Sequence, residues 1–257
     1  MSHTLDVTVQ SADGVEKGAQ FVTNRMYNLG SATRDPNTAV AHQQEVAKSG
    51  IHIAFDVPAP RIYPIALHAL TTDDQLFVQT DKTSGEVEIV LHMADQLYVG
   101  VGSDHTDRAM ETVSIPGSKQ ACANHVAPVF WPYDEMRDSW DDCVMRSWVD
   151  GRLYQNVGVD AFIAPEDIIA LLRERVTGVP ERDFTVFCGT IVSVDKALGY
   201  GADWKYEMEA PKGRKIRSSY HVVDILAEVR PEFRVPFFNP KKRARPDTAP
   251  DTKIGQP

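Results

Sequence analysis

The chain has 257 residues, 42% of them hydrophobic and 25% charged, the balance of an average soluble globular protein with one sizeable domain or two small ones. Its net charge of −9 argues against nucleic acid as the main partner, because phosphate binding needs a basic surface. No stretch approaches the roughly 20 consecutive apolar residues of a membrane helix, and no membrane partner is expected.

Met1 to Gly14 is polar and lacks the apolar core of a signal peptide. Strand signals dominate from Val7 to Val235. Leu76 to Thr80 is a short β-prone run, Gly85 to Leu91 reads EVEIVL after the glycine, and Gln96 to Val101 reads QLYVGV. A helix is expected over Asp134 to Val149, where Met136, Trp140, Cys143, Val144, Ser147 and Trp148 share one face and Gly151 is a stop. A second helix starts at Pro165, with Glu166 and Asp167 in its first turn, and continues through Ile168, Ile169, Leu171 and Leu172. Strands follow over Phe184 to Val194, Trp204 to Met208 and His221 to Glu228.

The three cysteines, Cys122, Cys143 and Cys188, are odd in number and far apart, as reduced core thiols are, and a cytoplasmic location is expected. From Phe237 to Pro257 the chain turns proline-rich and polar, which reads as a disordered tail. Its basic run, Lys241 to Arg245, is either simply solvated or a nuclear address or anion contact. No repeat or linker interrupts residues 1–236, taken as one domain. Many strands with a few peripheral helices give a mainly β (α+β) fold, a barrel or rolled mixed sheet.

The most informative stretch runs from Gly85 to Lys119. Glu86 and Glu88 are two apart in a strand, so both side chains point to one face. Val87 and Ile89 do not decide whether that face is the core. If it is, the two carboxylates repel and need a cation or an unusual protonation. Asp104 follows the next strand-like run, and adjacent strands bring it beside the glutamates. Three converging carboxylates describe a hard-cation site with positions left for water and substrate; a solvent-facing strand edge has the same spacing.

At these residues the chain resembles the fumarylacetoacetate hydrolase superfamily. Glu86-Val87-Glu88 matches its strand-borne Glu-x-Glu. Ser103-Asp104-His105-Thr106-Asp107-Arg108 is similar to its Asn-Asp-x-Ser/Thr-x-Arg segment, with serine for asparagine. Lys119 lies in GSKQACANHVAP, similar to a Gly-Lys-Ser element, although Ser118 precedes the lysine and Ala127 replaces a later glycine. Asp150-Gly151-Arg152-Leu153-Tyr154-Gln155 resembles a turn ending in glutamine, and Cys188-Gly189-Thr190-Ile191 a Gly-Thr-Pro strand end with isoleucine for proline. Upstream, Asn24 to Tyr27, then His42-Gln43-Gln44-Glu45 after an insertion, echo an Asn-Tyr-x-x-His-x-x-Glu element, and Val57 to Pro60 resembles the proline-rich approach to the metal strand. The series runs in the same order as in the superfamily and looks most like a divergent, uncharacterised branch.

The resemblance implies a rolled fumarylacetoacetate-hydrolase-like sheet, a homodimer, and one Mg²⁺ or Mn²⁺ held by Glu86, Glu88 and Asp104. The substrate is expected to be a 2-oxo acid or 1,3-diketone. Lys119 is expected to stabilise an oxyanion or to form a structural ion pair. Arg108 is expected to bind a substrate carboxylate or to hold the fold. Gly189 and Thr190 are expected at the substrate, and Gln155 as polar support or a turn residue. His42 and Glu45, three apart, form the expected water-activating dyad, with His52 and His105 as alternative histidines; His92 and His68 read as incidental.

One departure concerns Glu111, where several superfamily members carry a substrate-binding glutamine. Its charge disfavours a dianionic substrate, or it transfers protons itself. The expected reaction is hydrolytic cleavage of a carbon–carbon bond in an acylpyruvate or 1,3-diketone through a metal-held enolate. Decarboxylation, hydration or tautomerisation of a 2-oxo acid uses the same site. A non-catalytic small-molecule-binding protein on the same fold is the alternative of another class.

Overall fold

The computed structural model describes residues 2–35, 37, 38, 40, 44, 47, 48, 50, 51 and 57–235. The expected tail, and with it the basic run, lies outside the described residues.

The chain opens with an antiparallel hairpin of β1 (His3–Gln10) and β2 (Glu16–Thr23), in register from His3↔Thr23 to Gln10↔Glu16. Alternation along β1 buries Leu5 and Val7 and exposes Thr4 and Asp6. Then come β3 (Arg25–Gly30), β4 (Arg61–Ile65), β5 (Leu70–Thr71), β6 (Gln75–Val78), β7 (Thr83–Ser84), β8 (Val87–Met93) and β9 (Leu97–Asp104). They are followed by β10 (Thr106–Asp107), β11 (Asn124–Val126), β12 (Val129–Pro132), β13 (Val144–Val149), β14 (Arg152–Gly158), β15 (Phe184–Phe187), β16 (Asp203–Glu209) and β17 (Lys215–Asp224).

Among the described residues these strands form two main sheets and a two-stranded ribbon. The larger sheet runs β2-β1-β12-β9-β8-β15-β3-β4, with β11 on β9 and β5 on β11, and curls into a half-barrel. The smaller runs β14-β13-β16-β17-β6, and β7 pairs β10. Both main sheets are mixed: β1–β12, β15–β3, β11–β5 and β17–β6 are parallel, the other neighbours antiparallel. The fold is mainly β, as expected.

Strand β8 lies between β9 and β15 with both faces covered, which is why its run is almost continuously apolar. Val87, Ile89 and Leu91 join the core shared with the smaller sheet, beside Met145, Trp204 and Tyr220. Val90 faces the opposite core of Leu5, Phe21, Met26 and Phe130. Glu86 and Glu88 are in phase with Val90, so they lie on the face turned away from the smaller sheet.

Two expected elements differ. Asp134 to Val149 is not a helix: 3₁₀ turns cover Tyr133–Glu135 and Arg137–Asp142, and Val144–Val149 is strand β13. The helical spacing was coincidental, because β13 pairs on both edges with β14 and β16. Gly151, read as a helix stop, lies with Asp150 in the two-residue turn of the β13–β14 hairpin; both have positive φ, 47° and 78°. Phe184 to Val194 is strand only to Phe187, since the backbone turns at Gly189 with φ +81°. The strand expected over His221 to Glu228 ends at Asp224, whose carboxylate accepts from the N–H groups of Leu226 and Ala227 and caps a 3₁₀ turn. The helix from Pro165 spans Pro165–Arg175 and buries Ile168, Ile169 and Leu172.

Candidate metal centre

The centre is built where β8 and β9 meet β7 and β10. Glu86 N–H donates to Asp104 O at 3.1 Å and Asp104 N–H returns to Glu86 O at 3.0 Å. Glu88 follows in β8 opposite Gly102. This pairing brings the three carboxylates to one face, where one oxygen of each lies within 4.8 Å of the others. Glu86, Glu88 and Asp104 are 5%, 1% and 0% exposed, so the solvent-edge reading does not hold.

Short helices then fold back over this face. Asp107 accepts the N–H of Met110 and caps Arg108–Glu111; Ser114 accepts the N–H of Gly117 and caps Ile115–Ala121. They carry Arg108, Glu111 and Lys119 into the site. Lys119 Nζ donates to Asp104 Oδ2. The Arg108 guanidinium lies 2.8 Å from Glu86 Oε1 and 2.7 Å from Glu111 Oε2, and its Nε donates to Ser84 Oγ at 2.6 Å. Arg108 therefore pairs with Glu86 and Glu111, while its buried Nη2 makes no well-directed hydrogen bond.

Gly189 N–H donates to Glu88 Oε2 at 2.8 Å, which gives Gly189 a role in aiming that carboxylate. Thr190 and Gln155 belong to a buried chain behind the centre. Gln155 accepts from Val87 N–H at 2.8 Å and Ser147 Oγ at 3.0 Å and donates to Thr190 Oγ1 at 2.7 Å. Thr190 in turn donates to Val87 O at 3.1 Å. His42, Glu45 and His52 lie outside the described residues. His105 is buried, with its Nδ1 2.9 Å from Tyr220 Oη and its Nε2 2.9 Å from Thr83 Oγ1. His68 is exposed, and His92 is buried against Phe21, with rings stacked 4.2 Å apart.

The electrostatics follow from burial. Desolvation first, then the Asp104 charge, raises the Glu88 pKa well above the ordinary carboxylate range, with Lys119 and the Gly189 N–H opposing. For Lys119, burial works against the charge, but Asp104, Glu86, Glu88 and Glu111 outweigh it and raise the pKa above that of ordinary lysine. These carboxylates thus favour the charged ammonium. Burial also lowers the His105 pKa to about 3.

Mg²⁺ or Mn²⁺ fits this donor set. All three groups offer oxygen, which hard divalent cations prefer. Asp104 Oδ1 is buried with no hydrogen-bond partner, a costly state for a carboxylate oxygen that ligation would relieve.

Sequence reading passed over several residues here. Asn124 sits opposite Asp104 in register and accepts from Asn28 Nδ2 at 3.0 Å. Asn28 Oδ1 and Asn124 Nδ2 are buried without partners. Ser84 anchors Arg108, and Tyr220 approaches from the other face. The amide of Asn28 between the apolar Tyr27 and Leu29 was a readable signal.

Known structures share this fold at low identity. A Yersinia pestis CO92 protein described as a fumarylacetoacetate hydrolase family member is similar at 15% identity and TM-score 0.57, covering 84% of this chain and 100% of that one. One from Oleispira antarctica, described as a fumarylacetoacetate isomerase/hydrolase, gives 13% and 0.59 over 84% and 99%. The 5-carboxymethyl-2-hydroxymuconate delta-isomerase of Mycobacterium smegmatis gives 14% and 0.55 over 86% and 98%. The fold is therefore that of the fumarylacetoacetate hydrolase family, in a divergent form. No curated protein matches the sequence significantly. The family model described as "Protein of unknown function (DUF2848)" matches residues 30–220, and the chain belongs to that family.

Proposed function

We propose that this protein is a divalent-metal-dependent enzyme that hydrolyses a carbon–carbon bond in an acylpyruvate or 1,3-diketone. The observation that carries this reading is the buried Glu86–Glu88–Asp104 group, with ligand atoms within 4.8 Å of one another and an unpartnered Asp104 oxygen. Bound there, Mg²⁺ or Mn²⁺ supplies a Lewis acid for two substrate oxygens and for the negative charge that develops as the bond breaks.

The chain's own residues do the rest. Gly189 N–H aims Glu88, and Arg108 anchors Glu86. Lys119 holds Asp104 and keeps a positive charge beside it, suited to a developing oxyanion. Hydrolysis adds the hydroxyl of water to one carbonyl carbon and breaks its bond to the central carbon. The electron pair passes to that carbon, which takes up the proton, leaving an acid and a ketone. The base that activates water is expected at His42 with Glu45, from the sequence alone.

A second chemistry is open to the same centre. His105, adjacent to Asp104, has both ring nitrogens engaged, and decarboxylation of a 2-oxo acid needs no base to activate water. Unaltered turnover in His42→Ala and Glu45→Ala would select decarboxylation over hydrolysis.

The first test is Mn²⁺ titration of chelator-stripped protein, with and without oxalate as an enolate mimic, alongside Glu88→Ala. Stoichiometric binding that oxalate strengthens and the variant loses is expected. A wild-type protein that binds no Mn²⁺ would remove the reading.

A further inference from the structure

We propose that Tyr220 is a positioning residue that fixes the relative placement of Glu86 and Asp104 from the opposite face of the sheet; this rests on the metal-centre reading above. Val99 and Val101 of β9 face the core shared with the smaller sheet, so Ser103 and His105 point that way and Asp104 points to the metal face. Gly85 stands in the same relation to Glu86.

Tyr220 rises from β17 of the smaller sheet, 3% exposed, with its ring stacked on Trp204 at 6.5 Å and 10°. Its hydroxyl meets Ser103 Oγ at 2.8 Å and His105 Nδ1 at 2.9 Å. One hydroxyl therefore grips both neighbours of Asp104. His105 is held in turn by Thr83 at 2.9 Å, on the strand leading to Gly85.

The same hydroxyl presses on the glutamate strand. A Cβ at Gly85 would lie 2.3 Å from Tyr220 Oη and 2.5 Å from Ser103 Oγ. The absent side chain leaves the space the hydroxyl occupies, at the residue next to Glu86, whose backbone exchanges hydrogen bonds with Asp104. Groups hydrogen-bonded directly to a metal's ligands typically change its affinity by about 10–100-fold when removed; Tyr220 acts one contact further out, through the neighbours of Asp104.

The test is Tyr220→Phe, which deletes the hydroxyl and keeps the stacked ring. Mn²⁺ affinity is expected to fall several-fold, up to about 10-fold, and the electron paramagnetic resonance spectrum of bound Mn²⁺ to broaden, while circular dichroism stays that of the wild type. Ser103→Ala, which removes one of the two contacts, is expected to give a smaller loss in the same direction. It decides the question if Tyr220→Phe does not fold. Wild-type affinity and spectrum in the folded variant would overturn the inference and leave the metal centre standing. Failure of the wild type to bind Mn²⁺ would overturn the metal reading, and the inference with it.

Discussion

Gly189 donates its backbone N–H to Glu88 Oε2 at 2.8 Å from a left-handed conformation, φ +81°, in which a Cβ would lie 2.6 Å from Leu29 O. The segment just after β15 thus reaches the face of Glu86, Glu88 and Asp104 only where no side chain intervenes. Gly189→Ala is expected to cost about 1–3 kcal/mol of stability and to turn the N–H away from Glu88. Urea denaturation reads the first effect and Mn²⁺ titration the second. A variant equal to wild type in both would show that this backbone contact is incidental.

Lys119 and Asp104 form an ion pair in which both side chains are buried, 8% and 0% exposed. Removing one partner of a buried pair leaves the other charged and unsolvated. Lys119→Met in chelator-stripped protein is therefore expected to lose about 3–5 kcal/mol. Added Mn²⁺ is expected to restore part of that loss, because a bound cation compensates Asp104 in the lysine's place. Denaturation curves with EDTA and with Mn²⁺ measure both; a loss that Mn²⁺ does not reduce would separate Lys119 from the metal site.

Arg108 is shared by Glu86, at 2.8 Å, and Glu111, at 2.7 Å, and the two single removals are not equivalent. Glu111→Gln leaves Arg108 paired with Glu86 and bonded to Ser84, so the expected loss is that of one charge-assisted hydrogen bond, about 1.5–3 kcal/mol. Arg108→Ala removes the cation that two buried carboxylates share, and about 3–5 kcal/mol is expected. Equal losses in denaturation would mean that Arg108 serves Glu111 alone.

How much of this was legible follows from where each decision is made. The Glu86, Glu88 and Asp104 convergence was readable because strand alternation and antiparallel pairing are local and regular. Which face they occupy was not, because Val87 and Ile89 are buried by the smaller sheet, of which only β6 is near them in sequence and the other four strands begin at Val144 or later. The apolar spacing from Met136 to Trp148 suited a helix, and the pairing of β13 with β14 and β16 overrode it. The Asp150-Gly151 turn was the local sign of that hairpin. Leu5, Val7 and Val9 alternate as a strand should, so β1 was within reach of the same reasoning. Nothing around Tyr220 announces its role, which exists only because β17 passes beneath Ser103 and His105.

His92 gives the protein a predictable acid response away from the metal centre. It is buried beside Phe21, its Nδ1 lies 3.0 Å from Thr185 Oγ1, and its Nε2 has no partner. Burial lowers its pKa from 6.5 to about 4, so the unfolded chain takes up the proton near pH 6.5 and the folded one only near pH 4. The unfolded state binds more protons across that window, hence stability is full above about pH 6.5 and falls as the pH drops toward 4. At about 1.4 kcal/mol per unit, the loss attributable to His92 is at most about 3.5 kcal/mol. His92→Phe keeps the stacked ring, and Thr185 retains Thr23 as a partner at 2.9 Å. The stability difference between pH 7 and pH 4.5, read by guanidinium denaturation, is expected to shrink in the variant. An unchanged difference would assign the acid response to the other buried histidines, among them His125, whose pKa burial also lowers to about 4.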